Sequence, residues 1–491
     1  MTQTFLPPPT RHTVLRWAAF FAYSLFLLMW LSPDSFLAHV CAYHEDSSWF
    51  FTAGKAWMEG LTPYVDFADS KGPLLWLIYG TGYLLSPTSF IGVFWLSVLA
   101  YTVTLDFIWR TVRLFVGRRE SALVLAIMPI LLFIKLFHNE VRAEDFCMPW
   151  LCIGIYCTCR TLTSPRDTSV RKYAFWLGIG MAWCLLIKWN FFVLMGCMAL
   201  IIISVSFSRK RIDALLFGLL GIAILTLPFV AYFLLEGNLT AMVQEYVVNT
   251  FLITEREKNA WHTVFFNLLT DRSSLYQGTV LTGIVIGILL FCRRFRISYW
   301  LLATYLPFFL FLLFKPTWYY YFAIVMPFYV FFLIYIASIC SGFLHKCPKP
   351  LFVFIMATVC LGGIAYNVHR ENLVFFPSPE QEWWDDIQWV MKKKEKPRII
   401  VEADCGYGLL NRALPACKYW APQSGANNEM FEERRQAIKA RKADFVIVQH
   451  RESKEENIVA TLRANGYHQC IRPVIVNGRR VMKPLGIYEK E

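Results

Sequence analysis

A succession of long apolar runs, separated by short clusters of arginine and lysine, constrains this chain more than any other feature. The runs 14–31, 90–109, 121–137, 146–159, 173–187, 191–207, 214–235, 276–292, 299–314, 318–340 and 351–366 approach the length of about 20 residues that an apolar helix needs to cross a bilayer. Their linkers alternate in charge. Arg110, Arg113, Arg118 and Arg119 fill one, followed on alternate linkers by Arg160, Arg166, Arg171 and Lys172, by Arg209, Lys210 and Arg211, by Arg293, Arg294 and Arg296, and by Lys346 and Lys349. Basic linkers stay on the cytoplasmic side, so the pattern predicts a polytopic α-helical membrane protein of about eleven spans. Arg11 and Arg16 precede the first run and no small-residue cleavage site follows it, which predicts an uncleaved first span and a cytoplasmic N-terminus. With 56% hydrophobic and 17% aromatic residues among 491, a soluble enzyme is excluded and membrane lipids are the expected surroundings. The net charge of +13 belongs to the cytoplasmic linkers, and no nucleic-acid partner is expected.

The opposite linkers hold the carboxylates. The first, residues 33–89, is a polar island: His44-Glu45-Asp46-Ser47-Ser48-Trp49, then Gly60-Leu61-Thr62-Pro63-Tyr64-Val65-Asp66-Phe67-Ala68-Asp69-Ser70-Lys71-Gly72-Pro73. Trp49, Phe50, Ala53 and Trp57 recur at helical spacing, with Asp46 at the N-cap and Gly60 at the stop. A capping Asp needs no chemistry; the collection of acidic groups on one side of a membrane is what favours a site. The stretch 73–85 is apolar but too short to span, and predicts an interfacial or re-entrant helix. Reading it as a span would place every later basic cluster outside.

The series Asp-Ser-Ser, Gly-x-x-Pro-Tyr-x-Asp-Phe and Asp-x-Lys-Gly-Pro resembles the first extracytoplasmic loop of the GT-C glycosyltransferases, nearest in pattern to family 39-like bacterial enzymes related to protein O-mannosyltransferases and to aminoarabinose transferases of lipid A. The resemblance implies a catalytic acid or base at Asp46, with Glu45 as its neighbour, and substrate contacts from Asp66, Asp69 and Lys71. Ser70 stands where relatives often carry His. Glu144 and Asp145, with Arg142, echo a second acidic pattern; their plainer role is to start a helix, where the macrodipole favours acids. Lys188 and Asn190 interrupt two apolar runs where relatives show a basic residue and Asn, against the alternative of a lysine snorkelling to the interface. Tyr320 and Tyr321 fall in a segment similar to the family's His-Tyr, although aromatic residues collect at interfaces regardless of function. Asn249 likewise matches a family Asn. The resemblance leaves a divalent metal ion open, with Asp46, Asp69 and Glu144 as its ligands, while no ligand spacing in the chain demands one. His44, His138 and His262 are external and could bind metal, although isolated histidines are more often structural or solvent-facing.

Past residue 370 the apolar runs shorten and charge rises. Arg398-Ile-Ile-Val and Asp444-Phe-Val-Ile-Val read as strands among helical stretches. We expect a small soluble α/β domain over 371–491, extracytoplasmic if the spans are odd in number, behind a membrane catalytic domain over 1–370. Cys405-Gly-Tyr-Gly-Leu lacks the third glycine of a dinucleotide loop, and Cys405 and Cys417 can pair only if the tail is exported. Of the 14 cysteines, most lie within apolar runs, where thiols behave as small hydrophobes. The implied activity is transfer of a sugar from a polyprenyl-phosphate donor to a lipid, glycan or protein acceptor outside the bacterial cytoplasmic membrane. A transporter or flippase of lipid-linked sugars is the alternative, and would be expected to show internal repeats and charges within the spans.

Overall fold

The structure is a computed structural model and describes residues 11–32, 34–37, 45–132, 142–164, 168–250, 252, 272–313, 319–371, 381–402, 412–421, 428–448, 455–476 and 479–491. Its helices, in chain order, are α1 (Arg11–Leu31), α2 (Glu45–Met58), α3 (Pro73–Leu85), α4 (Ile91–Val112), α5 (Arg118–Leu132), α6 (Ala143–Thr163), α7 (Thr168–Leu185), α8 (Trp189–Ser208), α9 (Asp213–Leu235) and α10 (Leu239–Met242). A π-helix (Val243–Asn249) follows, then α11 (Arg272–Phe295), α12 (Trp300–Leu313), α13 (Tyr329–Ile339), α14 (Ser341–Lys346), α15 (Lys349–Glu371), α16 (Gln381–Met391), α17 (Asn428–Lys439) and α18 (Glu455–Ala464).

Among the described residues seven helices are long and apolar enough to cross a membrane, against the eleven spans expected from sequence. Helix α6 carries Glu144, Asp145 and Arg160, and α5 and α12 are described only as far as Leu132 and Leu313. The expected run 318–340 still supplies one of the seven, over Phe322–Ile339, but within it 3₁₀ turns at Tyr319–Ile324 and Met326–Phe328 precede α13. Pro327 lacks an N–H and restricts the residue before it, which explains the break.

By backbone contacts the chain divides into two units, Met1–Leu37 with Trp95–Pro228 and Lys258–Asn372, and Ala38–Phe94 with Phe229–Glu257 and Leu373–Glu491. In the first unit, α6, α7 and α8 pack on one another, and α13 packs on both α5 and α11. Buried charge is compensated at α4, where Asp106 accepts from Arg16 Nε at 2.8 Å and meets Arg110 Nε at 2.7 Å.

The second unit contains the polar island, the π-helix and the tail. Helices α2 and α3 cross where Gly54 meets Gly80; a Cβ on Gly54 would collide with the Gly80 backbone nitrogen. Contact this close buries Phe50, Phe51, Trp76 and Tyr79 completely or nearly so, at about 1.5–3 kcal/mol for each large apolar side chain removed from water. The tail forms a five-stranded sheet in the order β2-β1-β3-β5-β4, from β1 (Arg398–Val401), β2 (Leu414–Pro415), β3 (Phe445–Ile447), β4 (Tyr467–Val476) and β5 (Arg479–Lys490). Strand β1 runs parallel to β2 and β3, and the β4–β5 hairpin closes the other edge antiparallel, with a register shift between Gln469 and Ile471. Cys417 is buried, and burial pushes its thiol up to about 12; Cys405 lies outside the described residues.

Candidate active site

The polar island is built from α2, a tight turn and the N-terminus of α3. Helix α2 is described from Glu45 onward, so Asp46 lies within the helix rather than at its cap. Asp46 is half-buried. Gly60, at φ +89°, ends the helix in a conformation that glycine adopts without strain. The chain then doubles back. Asp66 accepts from Thr62 N at 2.7 Å, which makes this exposed carboxylate a turn former. Tyr64 donates its backbone N–H to Phe67 O at 2.7 Å and holds φ at +65°, a left-handed state that costs a non-glycine residue about 1–2 kcal/mol. Its ring is fully buried against Trp76 at 4.6 Å, and its hydroxyl donates to Lys71 O at 3.0 Å.

The turn delivers Asp69 and Lys71. Asp69 is buried, with Oδ1 accepting from Ser70 N at 2.5 Å and Ser70 Oγ at 3.2 Å, and Oδ2 lying 3.9 Å from Lys71 Nζ. Burial raises its pKa; Lys71 opposes that, and the charge of Asp46 adds to it. The structure thus brings Asp46, Asp69 and Lys71 into one electrostatic neighbourhood, with the Lys71 ammonium also 5.5 Å over the Phe50 ring. A buried carboxylate beside a cation, with a second carboxylate near it, is a group of charges whose protonation each member influences.

The remaining candidates lie in the other unit. Asp145 caps α6: its Oδ2 accepts from Arg142 N at 2.8 Å and its Oδ1 from Tyr101 Oη at 2.8 Å. That is the capping role which acidic residues at a helix start ordinarily play. Glu144 points elsewhere, to a buried ion pair with Lys188 Nζ at 2.5 Å. Lys188 is the N-cap residue of α8 and is buried, while Asn190 in the first turn of α8 is half-buried. Lys188 therefore spans two helices instead of snorkelling. Tyr320 and Tyr321 lie in the 3₁₀ turn Tyr319–Ile324; their side chains, that of Glu45, and all of His44, His138 and His262 lie outside the described residues. Among the described residues no group of three or more His, Cys, Asp or Glu is placed to hold a metal ion, and Asp46, Asp69 and Glu144 are not brought together as a ligand set.

Two charged residues, Lys55 of α2 and Glu59 just after it, carried no signal in sequence. Lys55 on α2 is completely buried, and burial lowers its pKa to about 7. Glu59 accepts from Lys396 Nζ and, at 2.5 Å, from Tyr83 Oη, and is held below the usual carboxylate range first by the Lys396 bond and then by Tyr83. Helical spacing placed both on α2 but could not show what they touch.

No protein-family model matches the chain, and no curated protein sequence matches it. Among solved structures, ArnT from Cupriavidus metallidurans in the apo state is similar at 11% identity with a TM-score of 0.61, over 96% of this chain and 98% of that one. The same protein bound to undecaprenyl phosphate gives 11% identity and a TM-score of 0.57, over 95% and 97%. At this identity the likeness is one of fold: the chain has the fold of ArnT.

Proposed function

We propose that this protein is an integral membrane glycosyltransferase that moves a sugar from a polyprenyl-phosphate donor to an acceptor hydroxyl of a lipid, glycan or protein. The observation that carries the reading is the Asp46, Asp69 and Lys71 group on a chain with the fold of ArnT. That ArnT has been seen bound to undecaprenyl phosphate supports the class of donor. Asp46 is the base: it takes the acceptor proton as the hydroxyl oxygen attacks the anomeric carbon and the bond from that carbon to the phosphate oxygen breaks. The polyprenyl phosphate leaves with the bonding pair, and Lys71 stabilises the charge it gains. Asp69 holds Lys71 in place and adds negative potential near the cationic sugar of the transition state. Glu144 and Lys188, with Arg142, Asp145, Asn190, Tyr320 and Tyr321, are the candidates for further contacts with donor and sugar. On this reading residues 1–370 form the catalytic membrane region, and 371–491 an extracytoplasmic domain at the bacterial cytoplasmic membrane.

The test is transfer by the full chain in lipid, using a panel of radiolabelled polyprenyl-phosphate sugars with membrane extract as acceptor source. Wild type is expected to transfer and a folded Asp46→Asn to lose at least about a hundredfold in rate. Equal transfer by both would remove Asp46 from catalysis. Absence of transfer across the panel would overturn the enzyme reading.

A further inference from the structure

Three separate stretches of chain meet around the turn that carries Asp69 and Lys71, and each meeting is a hydrogen bond. Ala68 N donates to Lys418 O of the tail at 3.1 Å. Thr250, the residue that caps the π-helix, donates its hydroxyl to Ser70 O at 3.3 Å. The third edge of this triangle joins the π-helix to the tail, and it is a single carboxylate. Glu245 Oε1 accepts from Lys418 Nζ at 2.5 Å and Tyr419 Oη at 2.8 Å, and its Oε2 accepts from Asn249 Nδ2 at 3.0 Å.

Glu245 is buried, so its charge is costly unless paired and fully hydrogen-bonded. Three donors, one of them a cation, meet that condition. The next residue in the tail, Trp420, packs on Trp49 with ring centroids 5.0 Å apart, one helical turn from Asp46. The helix that carries Glu245 has π geometry, a rare form that is frequently found at functional sites.

We propose that Glu245 is a positioning residue for the transfer: it locks the π-helix to Lys418 and Tyr419, and through them fixes the turn that presents Asp69 and Lys71. The tail is thereby part of the catalytic apparatus rather than a platform for the acceptor alone. This rests on the reading of Asp46, Asp69 and Lys71 as the reacting group, and the experiment separates the two.

Full-length wild type, Glu245→Gln, Tyr419→Phe and Thr250→Val are placed in nanodiscs and compared by amide hydrogen exchange and by transfer from polyprenyl-phosphate sugars. In Glu245→Gln, exchange is expected to rise at residues 64–72 and 416–421 while the spans keep their protection. Its kcat is expected to fall about ten- to a hundredfold with the donor KM little changed, since misplacing a reacting group costs rate rather than binding. Tyr419→Phe and Thr250→Val, each removing one hydroxyl, are expected to show smaller effects of the same kind. Unchanged exchange at 64–72 in Glu245→Gln overturns the proposal, whatever the transfer result. If Asp46→Asn keeps full transfer while Glu245→Gln loosens the turn, the positioning stands and the assignment of the base fails. A Glu245→Gln that raises the donor KM without lowering kcat would make Glu245 a binding residue and overturn the proposal as well.

Discussion

Asp69 is held in a state that favours its neutral form, and that makes it a residue where stability and activity pull in opposite directions. Burial raises its pKa, so the folded chain binds this proton more tightly than the unfolded chain does. The linkage sign follows: between the unfolded and the raised folded pKa, stability falls as pH rises, and above that window the whole cost of the buried carboxylate is present. Asp69→Asn removes the cost at neutral pH. We expect its Tm to exceed that of wild type at pH 7, with the difference shrinking toward the ordinary carboxylate range, while transfer is lost; a variant less stable at pH 7 would show that the charge is compensated. Tyr64→Phe argues the complementary case. It keeps the ring and removes the hydroxyl on Lys71 O, a bond worth about 0.5–1.5 kcal/mol, and thermal unfolding should register that loss. Sequence made Asp46, Asp69 and Lys71 visible because charges stand out on an apolar background. It could not show Tyr64 or Glu245 in their roles: one depends on a positive φ, and the other on partners 173 and 174 residues away.

At the scale of elements, the crossing of α2 and α3 joins the helix that carries Asp46 to the helix that follows the turn. The periodicity of Trp49, Phe50, Ala53 and Trp57 was enough to read α2, and the short apolar stretch enough to read α3. Their packing was not legible, because a glycine in a helix says only that the residue is tolerated. In the structure Gly54 abuts the Gly80 backbone, with the Trp76 carbonyl also in reach; neither of these atoms belongs to a side chain that can swing away. Gly54→Ala therefore forces the helices apart, and overpacking of this kind costs about 1–3 kcal/mol. We expect a lower Tm together with lost transfer. Gly196→Ala, where an added Cβ meets nothing within 4 Å, serves as the control and should be neutral or slightly stabilising. Equal behaviour of the two variants would show that the α2–α3 contact does not govern the site.

At the scale of the whole chain, the second unit is assembled from the first loop, the segment after Pro228 and the tail, three stretches separated by spans. Hydropathy resolves each stretch but carries no information about their meeting, which is why sequence predicted the tail as a domain of its own. The charge pattern does constrain the side on which that assembly lies. Arg209, Lys210 and Arg211 occupy one linker and the carboxylates of the first loop another, and the cost of moving clustered arginines across a bilayer fixes the orientation of the spans between them. If the first loop is extracytoplasmic, the tail that holds it through Lys396, Lys418 and Trp420 must be on the same side, independently of the exact number of spans. Alkaline phosphatase fused after Glu491 should then be active in intact cells and a fluorescent protein at the same point dark, with the reverse pair of results for fusions made at Lys210. An active phosphatase at Lys210 would invert the topology. Dark phosphatase at Glu491 with a cytoplasmic Lys210 would be incompatible with an extracytoplasmic first loop held by the tail.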